Sequence, residues 1–239
     1  MAQGLREAQL VRSGLGCNNA CRFCCQADDR VEHQDRESAE IMAEVRSLDE
    51  GGTVIFSGGE VTLRRELPEW VEAAKAAGAQ TVIVQTNGRM LSYRKLTRRL
   101  VRSGVDVFAI ALHGHKADLH DWLTRVDGSF EQAILGIRNV QSCGGVVYVN
   151  TVITRSNFRH LPDIAKLLPS WGAAGVRFMW PRVEGDAVVH APALIPHPEM
   201  VAPYLEQAGG IARALNRHVS IESLGEASAT EAHHVVATG

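Results

Sequence analysis

The sequence predicts an α/β fold, a partial (β/α)6 TIM-like barrel with parallel strands. Three observations predict it. Six short runs are rich in β-branched residues, an amphipathic stretch lies between most runs and the next, and glycines close several of those stretches just before the following run.

The first run, Gln9 to Ser13, leads into a cysteine-rich stretch. The second, Thr53 to Ser57, ends in Gly58-Gly59-Glu60, and the third, Thr81 to Gln85, in Thr86-Asn87-Gly88. Val107 to Ala111 is followed by His113-Gly114-His115, Val146 to Thr151 carries Asn150 near its end, and Val176 to Trp180 leads into Pro181. The intervening stretches Ser38 to Glu50, Glu66 to Ala77, Ser92 to Ser103, Phe130 to Ser142 and Leu161 to Leu168 place apolar residues at three- and four-residue intervals, as helices packed outside a sheet do. Gly51, Gly78, Gly104 and Gly172 stand where a residue tolerating positive φ turns the chain into the next strand. Right-handed crossovers make successive parallel strands neighbours, so six such units curl into an open three-quarter barrel. Reactive groups of such barrels sit at the carboxyl ends of the strands, where the motifs fall.

After residue 185 the character changes. Pro192, Pro196, Pro198 and Pro203 read as a loop leading to a last helix, about Glu199 to Asn216, then a short strand candidate, His218 to Glu222. Gly225 to Gly239 is small and polar and reads as a frayed tail, in which His233-His234 could recruit a metal but, as adjacent histidines on a terminus, are read as solvent-exposed bystanders. The expected division is a core barrel over 8–185 and a C-terminal extension over 186–239 packed on it.

With 239 residues, 45% of them hydrophobic, and a formal net charge of -2, the chain has the make-up of a globular protein and excludes global disorder. The balance gives no surplus of cations for a nucleic-acid partner or an anionic membrane. No apolar run approaches the roughly 20 residues of a membrane span, and Met1 to Gln9 lacks the apolar stretch of a secretory signal, so a cytoplasmic location is expected.

Four of the five cysteines, Cys17, Cys21, Cys24 and Cys25, fall within nine residues, and Cys143 stands far downstream. Clustering of this kind marks metal binding or redox chemistry rather than a disulfide framework. Structural zinc wants four ligands in paired arrangements, and no second pair follows at finger spacing. Cys17, Cys21 and Cys24 therefore form an incomplete cage, the kind that leaves one iron of a [4Fe-4S] cluster open to an outside ligand. Zinc with a non-cysteine fourth ligand, and thiols that merely pack, are the alternatives. Cys25 points elsewhere and is read as a packing residue.

The segment Cys17-Asn18-Asn19-Ala20-Cys21-Arg22-Phe23-Cys24 resembles the cluster-binding loop of the radical S-adenosylmethionine (radical SAM) superfamily, down to the aromatic residue before the last cysteine. The resemblance covers about Leu10 to Gly185. It implies that Cys17, Cys21 and Cys24 hold a [4Fe-4S] cluster and that S-adenosylmethionine binds its open iron. The Gly58-Gly59-Glu60 turn, with Ser57 before it, would meet the methionine amino group: two glycines admit close approach, and a carboxylate can receive an ammonium. Val61-Thr62 replaces the proline usual after this turn. Asn87 either contacts the cofactor or belongs to an Asn-Gly tight turn. Asn150, a polar residue in an apolar strand, would meet the ribose or carboxylate.

The stretch from His113 through His120-Asp121 and Arg125 to Gly128-Ser129-Phe130 resembles the segment after the fourth strand of that family, where Ala111 and His113 stand in place of the ribose-binding residues. The polar contact then comes from His113. Arg125 is read either as a clamp for the cofactor carboxylate or as a solvated helix arginine. Trp180 and Phe23 would wall the adenine, with plain packing as the alternative for Trp180. Zinc held by His113, His115 and His120 is disfavoured, because their spacing does not match helical ligand pairs.

By resemblance the function is reductive cleavage of S-adenosylmethionine to a 5'-deoxyadenosyl radical that abstracts hydrogen from a biosynthetic small-molecule or peptide substrate, with a low-potential electron donor such as flavodoxin or ferredoxin. Cys143 is the only cysteine beyond the first motif, so one cluster is expected, and with so little sequence before the first strand no leader-recognition domain is expected. The alternatives are an activase that installs a glycyl radical on a partner and, from another class, an iron-sulfur electron carrier.

Overall fold

The computed structural model describes residues 8–26, 35–48 and 50–221. Among these residues seven parallel strands form one sheet in chain order: β1 (Gln9–Arg12), β2 (Thr53–Ser57), β3 (Thr81–Thr86), β4 (Val107–Ala111), β5 (Val146–Val152), β6 (Gly175–Met179) and β7 (His218–Ile221). The helices between them are α1 (Ser38–Arg46), α2 (Leu67–Ala76), α3 (Arg94–Ser103), α4 (Ala117–Thr124), α5 (Ser129–Ser142), α6 (Leu161–Leu167), α7 (Asp186–Leu194) and α8 (Pro198–Ala214). β1 and β7 form the two edges, so the sheet is an open, partial barrel, as the alternation of runs predicts.

Strand period sorts the side chains. Val54, Phe56, Val82, Val84, Phe108, Ile110, Val147, Val149, Val176 and Phe178 face outward into a buried core shared with the helices. On the inner face Ile55, Ile83, Val107 and Ala109, with Leu10 and Tyr148 against them, plug the amino-terminal end. One pleat further along the same face stand Ser57, Gln85, Ala111, Asn150 and Arg177; Ala111 is in register with Asn150, and Asn150 with Arg177. The plug closes the bottom and leaves the carboxyl end for the site.

The structure departs from the sequence reading in three places. The barrel has seven strands rather than six, because the short candidate after the last helix pairs with β6, from Gly175 opposite His218 to Phe178 opposite Ile221. A short helix, α4, follows β4 where only a motif-bearing segment was expected. The carboxylate of Asp121 in it accepts from Gly128 N at 2.7 Å and Phe130 N at 2.8 Å, capping α5. The proline-marked stretch is helical as well. Pro192 lies in the last turn of α7, and Pro198 opens α8, where its missing N–H is no loss. Val201, Leu205, Ala208 and Ala212 of α8 join the same core as the strands, with Tyr204 edge-on to Phe158 at 5.3 Å. The tail from Gly225, with His233 and His234, lies outside the described residues. Among the described residues no helix is long and apolar enough to cross a membrane.

Candidate active site

The loop after β1 is shaped before it reaches its first cysteine. The Asp35 carboxylate accepts from Leu15 N at 3.1 Å and Gly16 N at 3.0 Å, turning the chain toward Cys17. The far side of the loop is pinned to the end of α4, where Ala20 N donates to Thr124 O at 3.1 Å and Arg22 N to Leu123 O at 3.0 Å. The Arg22 guanidinium lies over the Trp122 ring at 4.2 Å. A turn from Cys21 O to Cys24 N at 3.1 Å completes it. Cys17, Cys21 and Cys24 thereby line one cavity of about 360 Å³ at the carboxyl ends of the strands, and none is in a disulfide. Asn19 N lies 3.4 Å from the Cys17 sulfur.

The glycine turn after β2 seats this loop. Gly59 N donates to Gly14 O at 2.9 Å and Glu60 N to Gly16 O at 2.7 Å. A Cβ on Gly59 would stand 2.3 Å from Leu15 O, and one on Gly58, at φ +142°, 2.4 Å from Gly14 O. The close approach these glycines permit is thus to the backbone leading into the cysteines.

Glu60 departs from the expectation of an ammonium receptor. It is 2% exposed and does not line the cavity. Its Oε1 accepts from Thr62 N at 3.0 Å, from the Thr62 hydroxyl and from Thr86 Oγ1 at 2.6 Å, and its Oε2 accepts from Asn87 N at 2.6 Å. Burial pushes its carboxyl above the usual range, against the pull of those donors.

Asn87, fixed through that bond, lines the cavity. Its Nδ2 donates to Asn18 Oδ1 at 2.6 Å and lies 4.0 Å from the Cys17 sulfur. Arg89, two residues on, donates to Asn18 O and to Asn19 Oδ1, so the end of β3 grips the cysteine loop directly.

His113 forms another part of the wall. Its Nδ1 accepts from Val152 N at 3.2 Å, which leaves the proton on Nε2, and Phe23 packs edge-on against its ring at 4.6 Å. Burial, then the neighbouring His120, holds His113 well below the ordinary histidine range. His120 uses its own Nδ1 to accept from His113 N at 3.0 Å, so His113 and His120 are occupied as backbone acceptors rather than paired as metal ligands with His115.

Ser57, Asn150 and Trp180 line the cavity, Ser57 donating to Gln85 Oε1 at 3.0 Å. Arg125 does not line it. It ends α4 at φ +56°, and its guanidinium meets His190 Nε2 at 3.0 Å, because the left-handed turn at that position aims it toward α7.

Arg12, Gln85, Arg177 and Arg182 also line the cavity and were missed from the sequence. For the first three the signal was available, since each shares the inward parity of its strand while its immediate neighbours point to the core. Cys25, read as a packing residue, lines the cavity too, its thiol pushed up by burial and by Cys24.

A trio of cysteines on the carboxyl rim of an open parallel barrel, seated on a glycine turn, defines a radical SAM core. The family model described as the radical SAM superfamily matches residues 11–168. This chain belongs to that superfamily, whose enzymes use a [4Fe-4S] cluster and S-adenosylmethionine.

Among curated relatives, an AdoMet-dependent heme synthase of Oleidesulfovibrio alaskensis is 32% identical over 162 residues, 66% of this chain and 41% of the relative. A probable GTP 3',8-cyclase of Saccharolobus solfataricus is 33% identical over 144 residues, 59% of this chain and 46% of the relative. The chain thus spans less than half the length of these two proteins. Among solved structures, anSMEcpe with bound AdoMet and a Cp18Cys peptide superposes with a TM-score of 0.72 at 17% identity, covering 90% of this chain and 62% of that one. Streptococcus suis SuiB bound to its precursor peptide SuiA gives 0.71 at 15%, covering 91% and 49%. At these identities the likeness is one of fold.

The residues present fit the cluster. Three cysteine sulfurs share one cavity, N–H groups of Asn19 and Asn87 lie beside the Cys17 sulfur, and the cavity has the volume of a small-ligand site beside them.

Proposed function

We propose that this chain is the catalytic core of an enzyme that cleaves S-adenosylmethionine reductively and uses the product radical on a small-molecule or peptide substrate. The observation that carries the reading is the convergence of Cys17, Cys21, Cys24, the Gly58-Gly59 turn and the polar strand ends on a single cavity. When bound, a [4Fe-4S] cluster supplies one electron to the sulfonium, giving methionine and a 5'-deoxyadenosyl radical that takes a hydrogen atom from the substrate.

In this reading the three cysteines hold the cluster as thiolates. Asn19 N–H and the Asn87 amide lie beside the Cys17 sulfur and favour its charged form. The Gly58-Gly59 backbone and Ser57 face the methionine end of the cofactor, and Asn150 its ribose or carboxylate. Phe23, His113 and Trp180 form the adenine wall. Glu60 acts through Asn87 as a positioning residue, and Arg125 has no cofactor role. Leu10, Ile55 and Ala109 make an apolar floor that keeps water from the reacting centre.

Arg12, Arg177 and Arg182 line the cavity, and no acidic side chain does so among the described residues, which favours an anionic group on the bound molecule. The named substrate of the cyclase relative, GTP, is of that kind, and two structural neighbours carry peptides.

The test is anaerobic reconstitution followed by reduction with dithionite in place of the flavodoxin or ferredoxin donor. Methionine and 5'-deoxyadenosine are expected, both lost in Cys21→Ala. A loaded cluster that leaves S-adenosylmethionine intact would reduce the protein to an electron carrier.

A further inference from the structure

A second group of metal-ligating side chains stands outside the cavity, where two successive strand-to-helix loops meet. His115 lies in the loop from β4 to α4, His160 ends the short 3-10 turn after β5, and Asp163 is in the first turn of α6. One ligand atom from each lies within 4.8 Å of the others, and none of the three lines the cavity.

The local chemistry matches a divalent ion of zinc type. His160 Nδ1 and Asp163 Oδ2 are 3.3 Å apart, close to the edge of about 3.3 Å that a tetrahedron of zinc bonds near 2.0 Å requires. Lys166 takes the other carboxylate oxygen, Oδ1, at 3.1 Å, which orients the group and leaves Oδ2 turned to the histidine. The His115 and His160 rings lie 4.6 Å apart, tilted by 32°. His115 Nδ1 is shut off from water with no hydrogen-bond partner among the described residues, a condition that costs stability unless something accepts or coordinates it.

We propose that His115, His160 and Asp163 form a zinc site at the rim of the barrel, with solvent completing the coordination. The ion clips the loop after β4 to the loop after β5. Those loops already share Asn157, whose Nδ2 donates to His113 O at 2.9 Å, so the clip braces the segment that carries the cavity wall. The site is independent of the cysteine trio and of the activity proposed for it.

The test uses cluster-loaded protein, so that Cys17, Cys21 and Cys24 are occupied, titrated with zinc against a chromophoric chelator. One zinc per chain beyond the cluster is expected, with a rise in melting temperature. His115→Gln, His160→Gln and Asp163→Asn are each expected to weaken it by more than the about 10–100-fold that loss of a merely supporting partner costs. All three positions are partly exposed, and unchanged zinc-free melting will show that the variants fold. His233→Gln with His234→Gln should leave binding intact. No zinc uptake by the parent protein, equal uptake by the three variants, or loss confined to the tail variant would each overturn the site.

Discussion

Thr86 donates its hydroxyl to Glu60 at 2.6 Å, and that bond ties the turn after β2 to the end of β3. The same carboxylate receives Thr62 N on one oxygen and Asn87 N on the other. Glu60→Gln would therefore turn an NH2 group toward a backbone N–H whichever way the amide lies. We predict a loss of about 1–3 kcal/mol in chemical denaturation, the range for a buried polar group left without its partner. Displacement of Asn87 should also lower cluster retention. A Gln variant as stable as the parent would mean that the acid is held in its neutral form with little dependence on these donors.

Gly59 makes a sharper test of how the cysteine loop is seated. A methyl there meets Leu15 O at 2.3 Å and Gly16 O at 2.4 Å, both backbone atoms that no rotamer change can move aside. Gly59→Ala is predicted to separate loop and turn at a cost of about 1–3 kcal/mol. Iron and sulfide per chain should fall while far-ultraviolet circular dichroism stays that of the folded barrel. Full iron loading would show that the loop can seat itself without this contact.

Asn150 is 7% exposed, lines the cavity, and makes no side-chain hydrogen bond among the described residues. An amide held in that state is open to a partner that enters the cavity, as the proposed cofactor contact requires. Asn150→Leu should leave stability equal or slightly higher, since an apolar group replaces an unpaired polar one. Binding of S-adenosylmethionine to cluster-loaded protein, followed by calorimetry, should weaken about tenfold, the equivalent of one hydrogen bond of about 1.4 kcal/mol. Weakened stability with unchanged binding would assign the amide to the scaffold instead.

Much of this site was legible as strand ends. Cys17, Cys21, Cys24, Asn87 and His113 reach the cavity because each stands just past a parallel strand, and chain order alone puts those ends together. What was not legible was where side chains point within a turn. Glu60 follows two glycines, as a ligand-binding carboxylate would, but the residues that claim it, Thr62 and Asn87, come from its own turn and from the next strand end. Arg125 was read either as a clamp, for the planar fork its guanidinium offers a carboxylate, or as a solvated helix arginine, whereas a left-handed φ at that residue sends it to His190. The seventh strand is four residues long and only intermediate to exposed, so it carries little alternation to recognise. Its identity as a barrel strand comes from the ladder with β6.

The paired rings of His113 and His120 give the fold a pH dependence that can be worked out in sign. Each Nδ1 accepts a backbone N–H, from Val152 and from His113 respectively, and the rings stack at 5.6 Å and 8°. Protonation of either would set N–H against N–H in a buried place. His120 is accordingly pulled from 6.5 to about 4, chiefly by burial, and His113 is also lowered, by burial and by His120. Both folded values are depressed, so the unfolded chain binds protons that the folded chain refuses. The stability these two rings contribute is therefore full above pH 6.5 and is lost as the pH falls from there toward 4. The loss attributable to His120 approaches about 1.4 kcal/mol per pH unit within that window. His120→Asn offers an amide oxygen to the same His113 N–H and does not titrate. Urea unfolding between pH 7 and 4.5, on parent and variant prepared alike, should show the variant less stable at neutral pH but with a flatter decline. A variant whose stability falls as steeply as the parent's would place the acid sensitivity elsewhere in the chain.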